Sequence, residues 1–194
     1  PDLPEQIANV NYQQSDEDHT HTMNMLNYVY NPDGDQMTYV VNGLTNSSYN
    51  TNSNNVSLIP SPNWYGTESD LEIIVSNNAG SITLNPFDWG VESVNDAPQA
   101  NPDSDVVNQG GSVTTNVVAN DTDNLDPEGA IDPTSVTIVN YPNHGSVSVN
   151  SVSGKVTYTP NSGFYGNDSY TYIVGDNGTP QKYDNANVSL TVNE

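Results

Sequence analysis

The sequence predicts an all-β protein made of two tandem β-sandwich domains joined by a short, rigid linker. Three observations carry this reading. Val outnumbers Leu by 22 to 8 and Tyr occurs 12 times, and both Val and Tyr favour pleated, half-buried strands. Asn occurs 30 times beside 14 Gly and 13 Pro, all of them turn formers. No segment sustains a helical period, and Pro interrupts nearly every stretch that might. Third, the chain repeats itself. Pro62-Asn63-Trp64-Tyr65-Gly66-Thr67-Glu68-Ser69 returns as Pro160-Asn161-Ser162-Gly163-Phe164-Tyr165-Gly166-Asn167-Asp168-Ser169.

The remaining elements follow in order. Each copy of the motif leads into an apolar strand, residues 71–75 or 170–174, and then into a turn, Ser76-Asn77-Asn78-Ala79-Gly80 or Gly175-Asp176-Asn177-Gly178. Upstream of each lies an acidic loop followed by a strand: Asn31-Pro32-Asp33-Gly34-Asp35 before residues 37–41, and residues 120–128 before residues 136–139. The second copy reads as strands at 112–118, 136–140, 145–150, 155–159, 170–174 and 186–192, and about seven short strands make a sandwich. The hairpin 145–159 turns at a Ser-Gly pair. Tyr158, Tyr170, Tyr172 and Trp64 are expected in cores. The domains are read as residues 1–96 and 97–194, with the boundary inside Val94-Asn95-Asp96-Ala97-Pro98. A Pro-containing extended linker is a stiff spacer.

Charge excludes several function classes. Twenty-four acidic residues face two basic ones, Lys155 and Lys182, for a net charge of −22. Nucleic-acid binding needs cations for phosphates, and docking on an anionic membrane needs them too. No apolar run approaches the ~20 residues of a membrane span. Low hydrophobicity with high charge can mean disorder, but the alternating Val and Tyr residues oppose it. Zero Cys removes disulfides, thiolate metal sites and cysteine nucleophiles. Pro1-Asp2-Leu3-Pro4 has no basic or apolar leader and no initiating Met, so a piece of a longer chain is expected.

The motifs together carry a resemblance. Val94-Asn95-Asp96-Ala97-Pro98, Asn116-Val117-Val118-Ala119-Asn120-Asp121-Thr122-Asp123, Tyr158-Thr159-Pro160-Asn161 and residues 163–172 resemble the bacterial cadherin-like tandem repeats of large secreted or surface adhesin-like proteins of Gram-negative, often marine, bacteria. The resemblance covers nearly all of the second domain and about two-thirds of the first. It implies cadherin- or immunoglobulin-like Greek-key sandwiches with Ca2+ at the junctions. It also implies a secreted or cell-surface location, and a role as calcium-rigidified spacer and adhesion module.

Calcium also has a physical argument, since it takes six to eight oxygen ligands, largely carboxylates and carbonyls. In a sandwich, the loops after the second strand and before the last share the end where the chain enters. In the second domain those loops carry Asp121, Asp123, Asp126 and Asp176, and the linker carries Asn95 and Asp96. The family pattern implies further donors from the C-terminal end of the first domain: Glu17 in Ser15-Asp16-Glu17-Asp18, and Glu68 with Asp70. Asp33 and Asp35 form a candidate half-site at the N-terminal end of the first domain, where Asn77 stands in place of Asp176. The downstream end of the second domain has Asp168 at the position of Glu68 but Gln109 at that of Glu17. Carboxylates gathered without cations would repel, although Asp is also an ordinary turn residue.

Other sites fare less well. His19 and His21 would point to one face of a strand, and with Glu17 they suggest a weak transition-metal alternative. No hydrolase or metalloprotease motif occurs, so the chain is read as a non-enzyme. An internal isopeptide link is excluded in the first domain, which has no Lys, and is conceivable in the second through Lys155. Trp89, in Pro86-Phe87-Asp88-Trp89-Gly90, is read as an exposed surface feature. With Tyr30, Tyr49 and Tyr183 it supports an alternative function, a polysaccharide-binding module attached to a larger extracellular protein. Expected partners are neighbouring repeats of the same chain, a polysaccharide or another cell-surface protein, without nucleic acid or direct membrane insertion.

Overall fold

Along strands such as Thr38–Asn42, Asn55–Pro60, Val156–Pro160 and Tyr183–Asn193 buried residues alternate with more exposed ones, as the Val and Tyr alternation predicts. The computed structural model describes residues 2–124, 127 and 129–194. The chain divides into two compact units, Pro1–Val94 and Asn95–Glu194.

The first unit holds β1 (Glu5–Gln6), β2 (Gln13–Asp16), β3 (His21–Asn24), a short 3-10 turn (Met25–Asn27), β4 (Val29–Tyr30), β5 (Thr38–Asn42), β6 (Ser47–Asn52), β7 (Asn55–Pro60), β8 (Gly66–Asn77), β9 (Gly80–Thr83) and β10 (Phe87–Glu92). One sheet runs β2-β10-β8-β5 with β9 on β8, and the other runs β3-β7-β6. A ribbon pairs β1 with β4. Between the sheets lie Leu71, Ile73, Val75 and Trp89, all fully buried. Each such side chain contributes about 1.5–3 kcal/mol of burial.

The second unit holds β11 (Asp103–Asn108), β12 (Val113–Thr115), β13 (Ile131–Asn140), β14 (Gly145–Val149), β15 (Val156–Pro160), β16 (Gly166–Asp176) and β17 (Tyr183–Asn193). Its sheets are β11-β17-β16-β13 and β12-β15-β14. In both units a strand near the start runs parallel to the last one: β2 along β10 and β11 along β17. Tyr158, Tyr170 and Tyr172 are buried in the second core, as expected. Trp64 is partly buried against the first.

Two expectations change. The strand expected over 112–118 shortens to β12, because its continuation supplies Val117 to the core from a turn. β11 was not anticipated, since Asp103-Ser104-Asp105 reads as loop chemistry. The backbone of β17 pairs with it from Asp103 to Asn108.

Trp89 is a correction. It is 0 % exposed, with its indole N–H donating to Ser15 Oγ at 3.2 Å. Ordinary strand alternation turns Phe87, Trp89 and Val91 into the core while Asp88 faces out, and the pairing with β8 shifts register between Phe87 and Trp89, with the extra residue on β8. Opposite that shift Asp70 adopts a left-handed backbone (φ 54°) and donates its N–H to Asp88 Oδ1 at 3.0 Å. Tyr12 lies over Gly90, its hydroxyl 1.8 Å from where a Cβ would stand.

Candidate metal centre

The N-terminal end of the second unit gathers linker, acidic loop and the β16–β17 turn. β16 ends on Asp176, which is 0 % exposed. Its carboxylate organises the turn. Gly178 N–H donates to Oδ1 at 2.9 Å, and Lys182 N–H lies 3.2 Å from both oxygens. The Gln181 amide donates to the Asp176 carbonyl at 2.6 Å. Asn95, 2 % exposed, reaches the same turn from the linker, donating Nδ2 to Asp176 Oδ2 at 3.0 Å and to the Pro180 carbonyl at 2.9 Å. Gly178 is required here, since a Cβ on it would stand 1.7 Å from Asn95 Oδ1.

With Nδ2 engaged, Asn95 Oδ1 is buried and has no hydrogen-bond partner among the described residues. A Cβ on Gly129 would stand 2.8 Å from Asn95 Oδ1 and 2.7 Å from Asp123 Oδ2, so those two oxygens flank one point. Both carboxylate oxygens of Asp123 are buried. On the linker, Asp96 lies 4.0 Å from the Lys182 ammonium. Four of the expected donors in this unit, Asn95, Asp96, Asp123 and Asp176, thus sit on the linker, the acidic loop and the turn that meet here.

Asp121 is hydrogen-bonded into the core of the unit. Its Oδ1 accepts Asn101 N–H at 2.7 Å and lies 2.9 Å from the Tyr172 hydroxyl, pinning the loop to the core. Burial raises its pKa, the nearby Asp184 charge adds to that, and the Asn101 and Tyr172 hydrogen bonds oppose it. Asp126 lies outside the described residues. A groove of about 590 Å³ lies beside this loop, with Asp123 and Asp184 on its walls.

In the first unit, Glu17 is 3 % exposed and accepts Val94 N–H at 2.8 Å. Glu68, 2 % exposed, accepts Thr45 N–H, Asn46 N–H and the Thr45 hydroxyl, the closest two at 2.7 Å. Burial pushes the Glu68 pKa up, but the bonds from Thr45, Asn46 and Ser47 outweigh it and the net direction is down. Asp70 is exposed at the β8 bulge described above. Asp168, in the same repeat position as Glu68, accepts Asn143 N–H, His144 N–H and the Tyr158 hydroxyl at 2.9–3.0 Å. Sequence reasoning missed this loop-holding role; the backbone donors it uses leave no side-chain signature.

At the N-terminal end of the first unit, Asp33 accepts Asp2 N–H, and Asp35 accepts the Asn31 amide at 2.9 Å and Asn78 N–H at 3.2 Å. The Asn31 hydrogen bond is the main cause holding the Asp35 pKa down. Asn77 donates to the Asp2 carbonyl at 2.7 Å. His21 lies 2.8 Å from Gln13 Oε1, burial lowers its pKa, and His19 is exposed beside Asp16. Among the described residues, no three His, Asp or Glu side chains gather into a group that could hold a metal ion. That describes carboxylates and imidazoles, whereas calcium also takes amide and carbonyl oxygens, and the unsatisfied Asn95 oxygen fits it. No helix is long and apolar enough to cross a membrane among the described residues.

Comparison with solved structures gives the fold. Drosophila N-cadherin EC1-4 is similar at 14 % identity and a TM-score of 0.52, over 100 % of this chain and 50 % of that one. Human CDH23 EC21-23 is similar at 16 % identity and a TM-score of 0.49, over 98 % of this chain and 69 % of that one. The chain therefore spans half the length of the N-cadherin structure it matches. No curated protein sequence matches it. The family model described as "Bacterial Ig domain" matches residues 95–191, and the chain belongs to that bacterial Ig domain family.

Proposed function

We infer that this chain is a calcium-stiffened repeat segment of a secreted or cell-surface bacterial protein. Its bacterial Ig family and cadherin-like fold support the reading of a repeat module of the extracellular adhesion type. One observation carries the calcium reading: the buried Asn95 Oδ1, without a partner among the described residues, faces the buried Asp123 carboxylate. Leaving a buried acceptor unsatisfied costs about 1–3 kcal/mol, and a hard cation removes that cost.

Asn95, Asp96, Asp123 and Asp176 are the residues of the second unit that would hold the ion. Glu17, Glu68 and Asp70 are proposed as calcium donors at the C-terminal end of the first unit. Calcium supplies positive charge at acids that otherwise repel. The chain's own residues do the positioning, with Asn95 tying the linker to the turn and Asp176 ordering that turn from within. Asp33 and Asp35 are proposed as the equivalent half-site of the first unit, made weaker because Asn77 stands where the second unit has Asp176. The repeat then serves as a spacer, with no catalytic role.

Thermal unfolding with millimolar calcium and with EDTA tests this. Extracellular calcium modules bind at about 10⁻⁴–10⁻³ M, and at 100-fold excess over the dissociation constant stability rises by about 2.7 kcal/mol. The reading predicts a higher melting temperature and a longer, stiffer particle by scattering in calcium. Identical melting in both buffers contradicts it.

A polysaccharide-binding role is the second reading. Trp89 no longer supports it, being buried. The observation in its favour is a groove of about 380 Å³ in the first unit, where the exposed Tyr30 stands beside Asn31, Asp35 and Asn54. Tyr49 is partly buried against the core, and the Tyr183 hydroxyl is held by Gln181 at 2.6 Å.

A further inference from the structure

The chain carries two lysines among 24 acidic residues. One of them, Lys182, belongs to the β16–β17 turn that Asp176 organises. Its backbone N–H lies 3.2 Å from both Asp176 oxygens, and its ammonium stands 4.0 Å from Asp96 Oδ1. The Lys182 side chain is 35 % exposed and that of Asp96 is 18 % exposed. The other lysine, Lys155, is exposed just before β15, away from this cluster in sequence and sheet. A lysine ammonium thus stands near Asp96, one of the acids proposed to hold calcium.

We propose that the Lys182 ammonium is a built-in counter-ion of this site, which calcium must displace from Asp96 when it binds. This rests on the calcium reading above and adds a regulatory element to it. The ammonium is a compact point charge on a flexible four-carbon stem, so it can neutralise Asp96 without calcium and swing to solvent when a divalent ion arrives. Its role follows from charge balance. Without any cation, the buried or half-buried acids at this end repel one another. With a permanent cation, calcium would meet a like charge a few ångströms from its ligands. A displaceable lysine relieves the first cost and lowers calcium affinity, which sets the site to respond at high external calcium.

The test is calorimetric calcium titration of the 194-residue chain and three variants at fixed ionic strength. Lys182→Gln removes the charge, Lys182→Arg keeps it, and Lys155→Gln removes an equal charge elsewhere. The proposal predicts calcium binding roughly three- to tenfold tighter in Lys182→Gln. It predicts no tightening in Lys182→Arg and little in Lys155→Gln. In EDTA, Lys182→Gln is expected to melt no higher than the parent. Equal affinity in parent and Lys182→Gln overturns the counter-ion role and leaves the calcium site standing. Equal tightening in Lys182→Gln and Lys155→Gln overturns it too, because net charge alone would explain the gain. Binding by Lys182→Gln with none by the parent supports it. Absence of binding in every form overturns the calcium reading and this inference together.

Discussion

Asn95 donates Nδ2 to Asp176 Oδ2 at 3.0 Å between two side chains that are 2 % and 0 % exposed. That bond ties the linker to the turn before the last strand. It also turns the Asn95 oxygen toward Asp123. Asn95→Ala removes a donor from a buried carboxylate, and the expected loss is about 1–3 kcal/mol in urea unfolding without calcium. Asn95→Asp is expected to be destabilising in EDTA by repulsion with Asp176 and to recover in calcium.

Glu68 and Asp168 each clamp a loop from beneath. Glu68→Ala is expected to cost about 1.5–3 kcal/mol, the range for hydrogen bonds to charged groups. Both carboxylates have folded pKa values below their ordinary ones. For Asp168 burial pushes upward, and the His144, Ser169 and Asn143 amides with the Tyr158 hydroxyl pull harder down. Depressed folded values mean that this stability is present above the ordinary carboxylate range and is lost as pH falls through the folded values. Denaturation midpoints from pH 6 to 3 check it, and Glu68→Gln should flatten its part of the profile.

Asp103 behaves in the opposite sense. Burial first, then the charges of Asp121 and Asp105, push its pKa up to about 6. A raised folded value means the native state holds the proton more tightly, so this group's contribution becomes more favourable as pH falls from 7 toward 4. Asp103→Asn is therefore expected to raise the melting temperature at pH 7.5 and to lose that advantage at pH 5.

Trp89 is the core anchor of the first unit. Trp89→Ala should cost about 3–5 kcal/mol. Its emission should be blue-shifted and shielded from iodide in the folded chain, in contrast to an exposed sugar-stacking Trp. Gly90→Ala should also destabilise, since its Cβ would displace the Tyr12 ring.

The sandwich was legible because strand burial writes itself into composition: Val156, Tyr158, Tyr170 and Tyr172 alternate with polar neighbours and all are buried. β11 was not legible, because Asp103 and Asp105 hide a strand whose pairing is supplied by β17. Trp89 differs from its expectation because Phe87, Trp89 and Val91 share one face by ordinary strand alternation and only the fold shows that this face is the core. The acids of the candidate site could be found by loop position. Sequence alone could not separate Asp121, held by Tyr172, from Asp123 beside the unsatisfied Asn95 oxygen, because only the folded backbone assigns their partners.

The most direct test of the calcium site is amide chemical-shift mapping during a calcium titration of the whole chain. The account predicts saturable shifts concentrated at Asn95 to Ala97, at Asp123 and its neighbours, and at Asp176 to Lys182, and abolished by Asp123→Asn with Asp176→Asn. Shifts confined to other loops, or none at millimolar calcium, would contradict it.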